Sequence, residues 1–292
     1  MRKSPRIGII GDCSDWNFPG EPVELDACVK ELLASLDLLI FNLEGPLCPP
    51  GRCAQGPFRS RVLRFLLKRA GKLQPTVTST ERVLNALATP AMRVACLANN
   101  HILDAGPEGV AHTLSVLSER NIAVVGAGMN ASEAIQPLSL TCCNTNVRVV
   151  NYCLVGWKAA GLFVPAFGAV GSRPGAAWAR RQHIRKNIEQ YSGQSGVTIA
   201  VIHIGRELQP RLSDDDEQFL SSLPVDLVVA QHAHVAQPTT SANVVSTGDF
   251  IFCYPGHLPE KRPACMTIWD AGKIEVVPLE IVKGMPCPLV CA

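Results

Sequence analysis

Apolar and polar positions alternate along the chain in blocks that predict strands and helices in turn. Short apolar runs bounded by Gly, Pro, Asn or Asp are typical of buried strands, and apolar residues three and four apart predict helices. Strands are predicted at 6–10, 36–44, 93–98, 122–125, 147–157, 197–205, 225–234, 243–253, 265–270 and 274–280. Helices are predicted at 22–36, 60–70, 80–88, 107–120, 178–191 and 213–222. This alternation predicts an α/β fold with βαβ units and a largely parallel central sheet, formed by residues 1–292 as a single domain.

Polar residues that can bind a metal follow five of the predicted strands. They are Asp12, Glu44, Asn100, His101, His203, His232 and His234. Ligands of open α/β sheets bind beyond the carboxyl ends of the strands, so we expect these side chains to converge at one edge. His232 and His234 are two residues apart, and on an extended segment both would face the same way. Carboxylate, amide and imidazole groups are the ligands that a two-metal hydrolytic centre needs.

Composition excludes several classes of function. The chain is 47% apolar and 18% charged, which is typical of a globular protein. A net charge of +2 and an aromatic content of 5% do not indicate nucleic-acid binding. The start of the chain lacks a signal peptide, and no segment reaches the roughly 18 apolar residues of a membrane span. We therefore expect a soluble, cytoplasmic protein without a membrane anchor, whose twelve cysteines are reduced.

The motifs at the strand ends occur in a fixed order between about residues 6 and 256. They read IIGDC, FNLEGPL, LANNHILDAG, VIHIGREL, AQHAHVAQP and STGDFIF. With GPF at 56–58 and VVGAGMNASEA at 124–134, this series resembles the bacterial capsule-synthesis, or CapA-like, family. That family is a branch of the calcineurin-like metallophosphatase fold. The resemblance implies an αββα sandwich with mixed sheets and two metals at the strand ends. Its members are associated with poly-γ-glutamate capsule formation, and the fold at large hydrolyses phosphate esters.

Carried over by motif, the resemblance implies six metal ligands. They are Asp12, Glu44, Asn100, His203, His232 and His234. In this assignment Asp12 and His234 bind the first metal, Glu44 bridges the two, and the remaining three bind the second. Mixed oxygen and nitrogen ligands suit two divalent transition metals, Mn, Fe or Zn.

Four further residues receive roles beside the predicted metals. His101 is expected to be the general acid for the leaving group, and Asp104 to fix its tautomer by a hydrogen bond. Arg206 and Glu207 follow His203 and are expected to contact the substrate, since an arginine suits a carboxylate or a phosphate. The expected substrate is therefore a small molecule or peptide with phosphate or carboxylate groups.

The chain departs from the family motifs at several positions. Ser14 stands where the wider superfamily often has the histidine of Asp-x-His, so the first metal has fewer strong ligands. Ala230 and Gln231 replace the usual Gly-His, and Asp249 replaces the asparagine of GNF. Most capsule proteins carry an N-terminal membrane anchor, whereas this chain begins at its first strand, so we expect a soluble pathway enzyme.

The sequence predicts a metal-dependent hydrolase that uses a metal-activated water on a phosphoester or a γ-glutamyl-type amide. The same ligands could instead hold iron for redox or oxygen chemistry. A family member that binds metal or ligand without turnover is the third alternative. The substrate and the oligomeric state are left open by the sequence.

Overall fold

Two β-sheets pack face to face in the computed structural model, and helices cover their outer faces. The structure describes residues 4–16, 18, 22–48, 76–90, 92–155, 157–159, 162–164, 167–253 and 258–289. The predicted helix 60–70 and the GPF motif at 56–58 lie outside the described residues.

The described elements follow the predicted alternation. The strands are β1 (Arg6–Ser14), β2 (Leu38–Leu43), β3 (Arg93–Cys96), β4 (Ala123–Val125), β5 (Ala127–Gly128), β6 (Leu138–Cys142), β7 (Thr145–Cys153), β8 (Trp157–Ala159), β9 (Leu162–Val164), β10 (Gly175–Ala176), β11 (Val197–His203), β12 (Leu227–Gln231), β13 (Ala236–Gln237), β14 (Val244–Thr247), β15 (Asp249–Phe252), β16 (Lys261–Asp270), β17 (Lys273–Val282) and β18 (Met285–Pro288). The helices are α1 (Ala27–Ala34), α2 (Glu81–Ala86), α3 (Gly106–Glu119), α4 (Ala131–Ala134), α5 (Arg181–Glu189) and α6 (Asp214–Ser221).

Both large sheets are mixed. The first has eight strands in the order β18-β17-β16-β1-β2-β3-β4, and β15 also pairs with β1. The second has six strands in the order β13-β14-β12-β11-β7-β6. Strands β1 to β4 run parallel to one another, whereas β16, β17 and β18 pair in antiparallel fashion. The αββα sandwich is confirmed, and the single, largely parallel central sheet is wrong.

The division into two sheets follows from strands that are apolar on both faces. Ile7 and Ile9 of β1 pack with Ile199 and Val201 of β11 in the core between the sheets. The alternate residues belong to a second core that includes the helices; Ile10 is one of them. A strand that is buried on both faces is a continuous apolar run in the sequence. Such a run indicates that both faces are covered, but it does not indicate which elements cover them.

Strand β1 continues past its predicted end at residue 10 and carries Asp12 within it. Gly11 makes this continuation compatible with the approach of β15, because a Cβ atom at Gly11 would lie 1.8 Å from the carbonyl oxygen of Gly248. The predicted strand 243–253 is in fact two strands, β14 and β15, separated at Gly248, whose φ is 70°. This break lets β15 leave the second sheet and pair with β1 of the first.

Nine of the described cysteines carry free thiols, whereas Cys48 is disulfide-bonded. The expectation of reduced cysteines throughout is therefore wrong at Cys48. Disulfides persist in oxidising compartments, and the cytoplasmic location stays a prediction. In the described part of the chain, no helix combines the length and the apolar character needed to cross a membrane.

Candidate metal centre

The carboxyl ends of β1, β2, β3, β11 and β12 meet at one edge of the sandwich. The side-chain amide of Gln231 donates to the carbonyl oxygen of Ile10 at 2.9 Å and joins the two sheets there. The backbone N–H of His232 donates to Asp12 Oδ2 at 3.3 Å. All the residues predicted to bind metal are buried at this edge; they are Asp12, Glu44, Asn100, His203, His232 and His234.

The first group of ligating atoms belongs to Glu44, His203 and His232, and these atoms all lie within 4.8 Å of one another. His203 Nε2 is 3.8 Å from Glu44 Oε1. It is also 2.8 Å from Asn100 Oδ1, so the amide oxygen of Asn100 adjoins this group. The imidazole rings of His203 and His232 have centroids 4.8 Å apart. The group therefore offers carboxylate, amide and imidazole atoms to one point.

The second group belongs to Asp12, His234 and Asp249, whose ligating atoms also lie within 4.8 Å of one another. His234 Nδ1 is 3.6 Å from Asp12 Oδ2 and 2.8 Å from Asp249 Oδ1. The rings of His232 and His234 are 6.2 Å apart at their centroids, so the two groups are neighbours. The division between the groups is the one that the motifs imply, with Asp249 as an added member.

Two asparagines connect the carboxylates of the two groups. Asn42 Nδ2 donates to Asp12 Oδ1 at 2.8 Å and to Glu44 Oε2 at 3.2 Å. Asn99 in turn donates to Asn42 Oδ1 at 3.1 Å. These amides fix which carboxylate oxygens are turned away from the histidines. Sequence reasoning did not assign them a role, although both stand inside the motifs that carry Glu44 and Asn100.

His101 lies beside the first group without belonging to it. Its Nδ1 is 2.7 Å from Asp104 Oδ2, and the same oxygen accepts the backbone N–H of Val77 at 2.7 Å. Its Nε2 is 3.9 Å from Glu44 Oε1. The structure thus turns one ring nitrogen of His101 to Asp104 and the other to the ligand cluster.

The chemistry of the first group fits a bound cation. Glu44 Oε1, His203 Nδ1 and His232 Nδ1 are buried and, among the described residues, have no hydrogen-bond partner. Burial raises the pKa of Glu44 well above its usual range, and the negative charges of Asp12 and Asp249 add to this shift. Burial lowers the pKa values of His203 and His232 well below 6.5, helped by the neighbouring histidines. A cation bound at Glu44 Oε1 would give this carboxylate oxygen the partner that it lacks among the described residues and would relieve the repulsion between the carboxylates.

The second group holds its charges differently. The pKa of Asp12 is raised to about 6, chiefly by burial, with His234 acting to lower it and the nearby Asp249 carboxylate acting to raise it. Burial lowers the pKa of His234, but the charge and hydrogen bond of Asp249 outweigh burial and, with Asp12, raise it to about 9. A protonated His234 next to the Asp12 and Asp249 carboxylates supplies positive charge there, as a bound metal ion would.

The segment with His232 and His234 is not extended, although the sequence predicted an extended conformation. The φ angles are 97° at His232 and 59° at His234, both in the left-handed region that side chains disfavour. Each such residue costs on the order of 1–3 kcal/mol and persists where the surroundings impose it. The local turn, rather than a strand, sends one ring to each group.

Arg206 and Glu207 lie on the exposed loop after β11. The backbone N–H of Leu208 donates to the carbonyl of Ala233 at 2.8 Å, which ties this loop to the histidine segment. A cavity of about 740 Å³ is lined by this loop, including Arg206 and Arg211, and by the start of α6. Glu207 precedes Leu208 in this loop, so it is next to the residue that contacts the histidine segment.

Sequence reasoning missed two further residues of the second group. Asp249 was noted only as a departure from a motif, and Arg262 was not considered. Arg262 Nε donates to Asp249 Oδ2 at 2.7 Å, and both side chains are buried. The sequence does mark Asp249, because a carboxylate stands where the family motif GNF has an amide. Nothing in the sequence marks Arg262 on β16.

Comparison with known proteins identifies the family of the chain. The family model of the bacterial capsule synthesis protein PGA_cap matches residues 22–254. The chain is similar to the PGA biosynthesis protein CapA of Bacillus subtilis, with 25% identity over 205 residues, 66% of this chain and 52% of that protein. It is also similar to the capsule biosynthesis protein CapA of Bacillus anthracis, with 26% identity over 270 residues, 87% of this chain and 64% of that protein. The chain thus spans about half to two thirds of these relatives.

Solved structures share the fold at low sequence identity. One is described as a novel phosphatase from Mycoplasma pneumoniae, with a TM-score of 0.50 and 11% identity over 98% of this chain and 96% of that one. Another is a putative 5'-nucleotidase from Staphylococcus aureus, with a TM-score of 0.51 and 12% identity over 99% of this chain and 55% of that one. The architecture is therefore metallophosphatase-like.

Proposed function

Because the chain belongs to the bacterial capsule synthesis family PGA_cap, we propose that it is a metal-dependent hydrolase with a two-metal centre. The observation that carries the proposal is the pair of adjacent buried ligand groups, each with its ligating atoms within 4.8 Å. The ion in the second group would be held by Asp12 and His234. The ion in the first group would be held by His203 and His232 together with Asn100. Glu44, a member of the first group, would bridge.

Two of the histidine ligands already have a form suited to this task. His203 and His232 are neutral at pH 7, because burial lowers their pKa values, and a neutral imidazole is the form that binds metal. Divalent ions bound at such a centre act as Lewis acids and lower the pKa of water to about 7, so that water attacks at neutral pH. Mn, Fe and Zn all suit this mixture of oxygen and nitrogen ligands.

His101 is proposed as the general acid. Asp104 accepts a hydrogen bond from Nδ1 at 2.7 Å and stabilises the imidazolium. Its Nε2–H then faces the ligand cluster, where it donates its proton to the oxygen or nitrogen of the departing group. For a phosphoester, the bond to that group would break as the bond from water to phosphorus forms. For an amide, water would first add to the carbonyl carbon, and the C–N bond would then break as the nitrogen takes the proton.

The proposed substrate is a small molecule or peptide that carries phosphate or carboxylate groups. The cavity lined by the loop after β11 offers the exposed guanidinium groups of Arg206 and Arg211, which suit such anions. The carboxylates of Asp214, Asp215 and Asp216 line another part of the same cavity. Phosphoester hydrolysis is supported by the fold, and a γ-glutamyl-type amide by the relative named for PGA biosynthesis. Arg206 is proposed to bind the anionic group, and Glu207 to limit how much negative charge is admitted.

Elemental analysis of protein purified without chelator tests the proposal. We expect about two transition-metal ions per wild-type chain, as in two-metal hydrolases. The double variant His232→Ala/His234→Ala should lose them, whereas His183→Ala, an exposed histidine on α5, should retain them. Metal-loaded wild type is then assayed with phosphoesters and γ-glutamyl amides. Absence of bound metal after incubation with Mn, Fe and Zn would refute the centre, and metal binding without turnover of either class would refute the hydrolase.

A further inference from the structure

We propose that Asp249 is a metal ligand of the second group and that Arg262 positions it. This inference rests on the proposed metal centre. It also connects two features of the motifs, because Ser14 stands where the wider superfamily often has a histidine, and Asp249 replaces the asparagine of the family's GNF. The two positions lie on neighbouring strands, β1 and β15, beside the same pair of ligands.

Ser14 is not available to bind a metal. Its hydroxyl donates to the carbonyl of Thr78 at 3.3 Å and accepts from Ser79 Oγ at 3.0 Å. It also accepts the backbone N–H of Trp16 at 3.2 Å. The hydroxyl is thus used to connect β1 to the segment before α2. Apart from Glu44, which is predicted to bridge, Asp12 and His234 would therefore be the only predicted protein ligands of the ion in the second group, which is few for a stable site.

Asp249 supplies the missing ligand from the other side. It pairs with Asp12 in the register of β1 and β15, and the backbone N–H of Asp12 donates to Gly248 O at 3.2 Å. The Asp249 side chain is fully buried. Its Oδ1 is 2.8 Å from His234 Nδ1 and lies within the 4.8 Å group that includes an oxygen of Asp12. Two carboxylates and an imidazole form a ligand set for a divalent transition metal.

Arg262 fixes the orientation of Asp249. Its Nε donates to Asp249 Oδ2 at 2.7 Å, and its Nη2 lies 2.5 Å from the same oxygen. The guanidinium also donates to the carbonyls of Phe252 at 2.6 Å and Pro259 at 2.9 Å, so it cannot swing freely. With Oδ2 engaged by the arginine, Oδ1 is the oxygen that faces Asp12 and His234. Charge-assisted bonds of this kind give both strength and direction.

The buried side chains of this region carry more negative than positive charge, which favours the binding of a cation. Three buried carboxylates, from Asp12, Glu44 and Asp249, face one buried guanidinium, from Arg262. Even with His234 protonated, two positive charges do not balance three negative ones, and buried charges are paired or bound to metals. An amide at position 249 would remove one negative charge and leave a weaker ligand. Asp249 therefore increases the attraction of this group for a divalent ion.

The test is isothermal titration calorimetry, in which Mn²⁺ is titrated into the chelator-treated 292-residue chain. Wild type is compared with Asp249→Asn. We expect about two sites in wild type and one in the variant, or an affinity at one site reduced by about 100-fold or more, since even indirect partners of ligands contribute 10–100-fold. Asp15→Asn is the matched control, because Asp15 is buried and pairs with Arg82 at 2.8 Å outside both ligand groups. It should keep both sites.

A second variant guards against misfolding. Asp249→Asn/Arg262→Met removes the buried anion and its partner together, and it should also bind one ion fewer. Two sites with affinities within about threefold of wild type in both variants would overturn the inference and leave the hydrolase proposal standing. A wild type that binds no Mn²⁺ would instead overturn the proposed centre, and metal binding without turnover would overturn only the hydrolase.

Discussion

Removal of the Arg262 guanidinium should destabilise the metal-free fold more than removal of any exposed arginine. Arg262→Met keeps the length of the side chain and removes its charge and donors. Asp249 is then left buried and anionic beside Asp12, without its 2.7 Å partner. The carbonyls of Phe252 and Pro259 lose their donors as well.

The expected loss follows from the geometry of the pair. Breaking a buried ion pair by removing one partner costs about 3–5 kcal/mol, because an uncompensated charge remains. An exposed pair is worth about 0–1 kcal/mol. Arg185→Met is the matched control, since Arg185 pairs with Glu189 at 3.1 Å on α5 with both side chains about half exposed. We expect the control to stay within about 0.5 kcal/mol of wild type.

Urea unfolding at pH 7 in the presence of chelator measures both free energies. The double variant Arg262→Met/Asp249→Asn should recover most of the loss, because replacing a whole buried pair is often close to neutral. A loss below about 1 kcal/mol for Arg262→Met would refute the reasoning from the buried pair. So would a double variant that is as unstable as the single one, because the cost would then not come from the unpaired carboxylate.

Two further predictions concern the chemistry of the centre. His101→Gln should keep its metal and lose kcat by about 10²–10⁴-fold, the usual contribution of a general acid, and a kcat within about threefold of wild type would contradict the role. Mn²⁺ should bind the metal-free protein more weakly as pH falls, because pKa values of about 6 at Asp12 and about 9 at His234 keep protons on ligands that the metal must displace. Calorimetry between pH 6 and 8.5 in buffers of different ionisation enthalpy should show proton release, and an affinity independent of pH would contradict the two pKa shifts.

Much of the fold could be predicted from local pattern. Helix α3 (Gly106–Glu119) was predicted at 107–120, and β11 (Val197–His203) at 197–205, because apolar periodicity reports directly on burial. The convergence of Asp12, Glu44 and His203 was also predictable, since the ends of parallel strands share one edge of a sheet. The family resemblance added the sandwich, which periodicity alone did not distinguish from a single sheet.

The rest depends on contacts that no local pattern encodes. Asp249 reaches the centre because β15 crosses from the second sheet to pair with β1. Arg262 reaches it because β16, the strand that follows β15 in the chain, also pairs with β1. The positive φ angles of His232 and His234 are equally invisible, because neither residue favours that region and only the completed site imposes it. Sequence pattern predicts which residues are buried, but pairing over long separations decides their neighbours.

The hydrogen bond from His232 to Asp12 joins residues 220 positions apart, and this separation sets an order of events during synthesis. At about 5–20 residues per second, Asp12 leaves the ribosome roughly 10–40 seconds before the histidine segment is made. Until then the carboxylates of the first sheet lack the imidazoles that complete either ligand group. No shorter nascent chain would therefore bind ions at the proposed centre with full affinity. Metal loading of that centre would be a late step of biosynthesis, possible only after the two sheets have packed together.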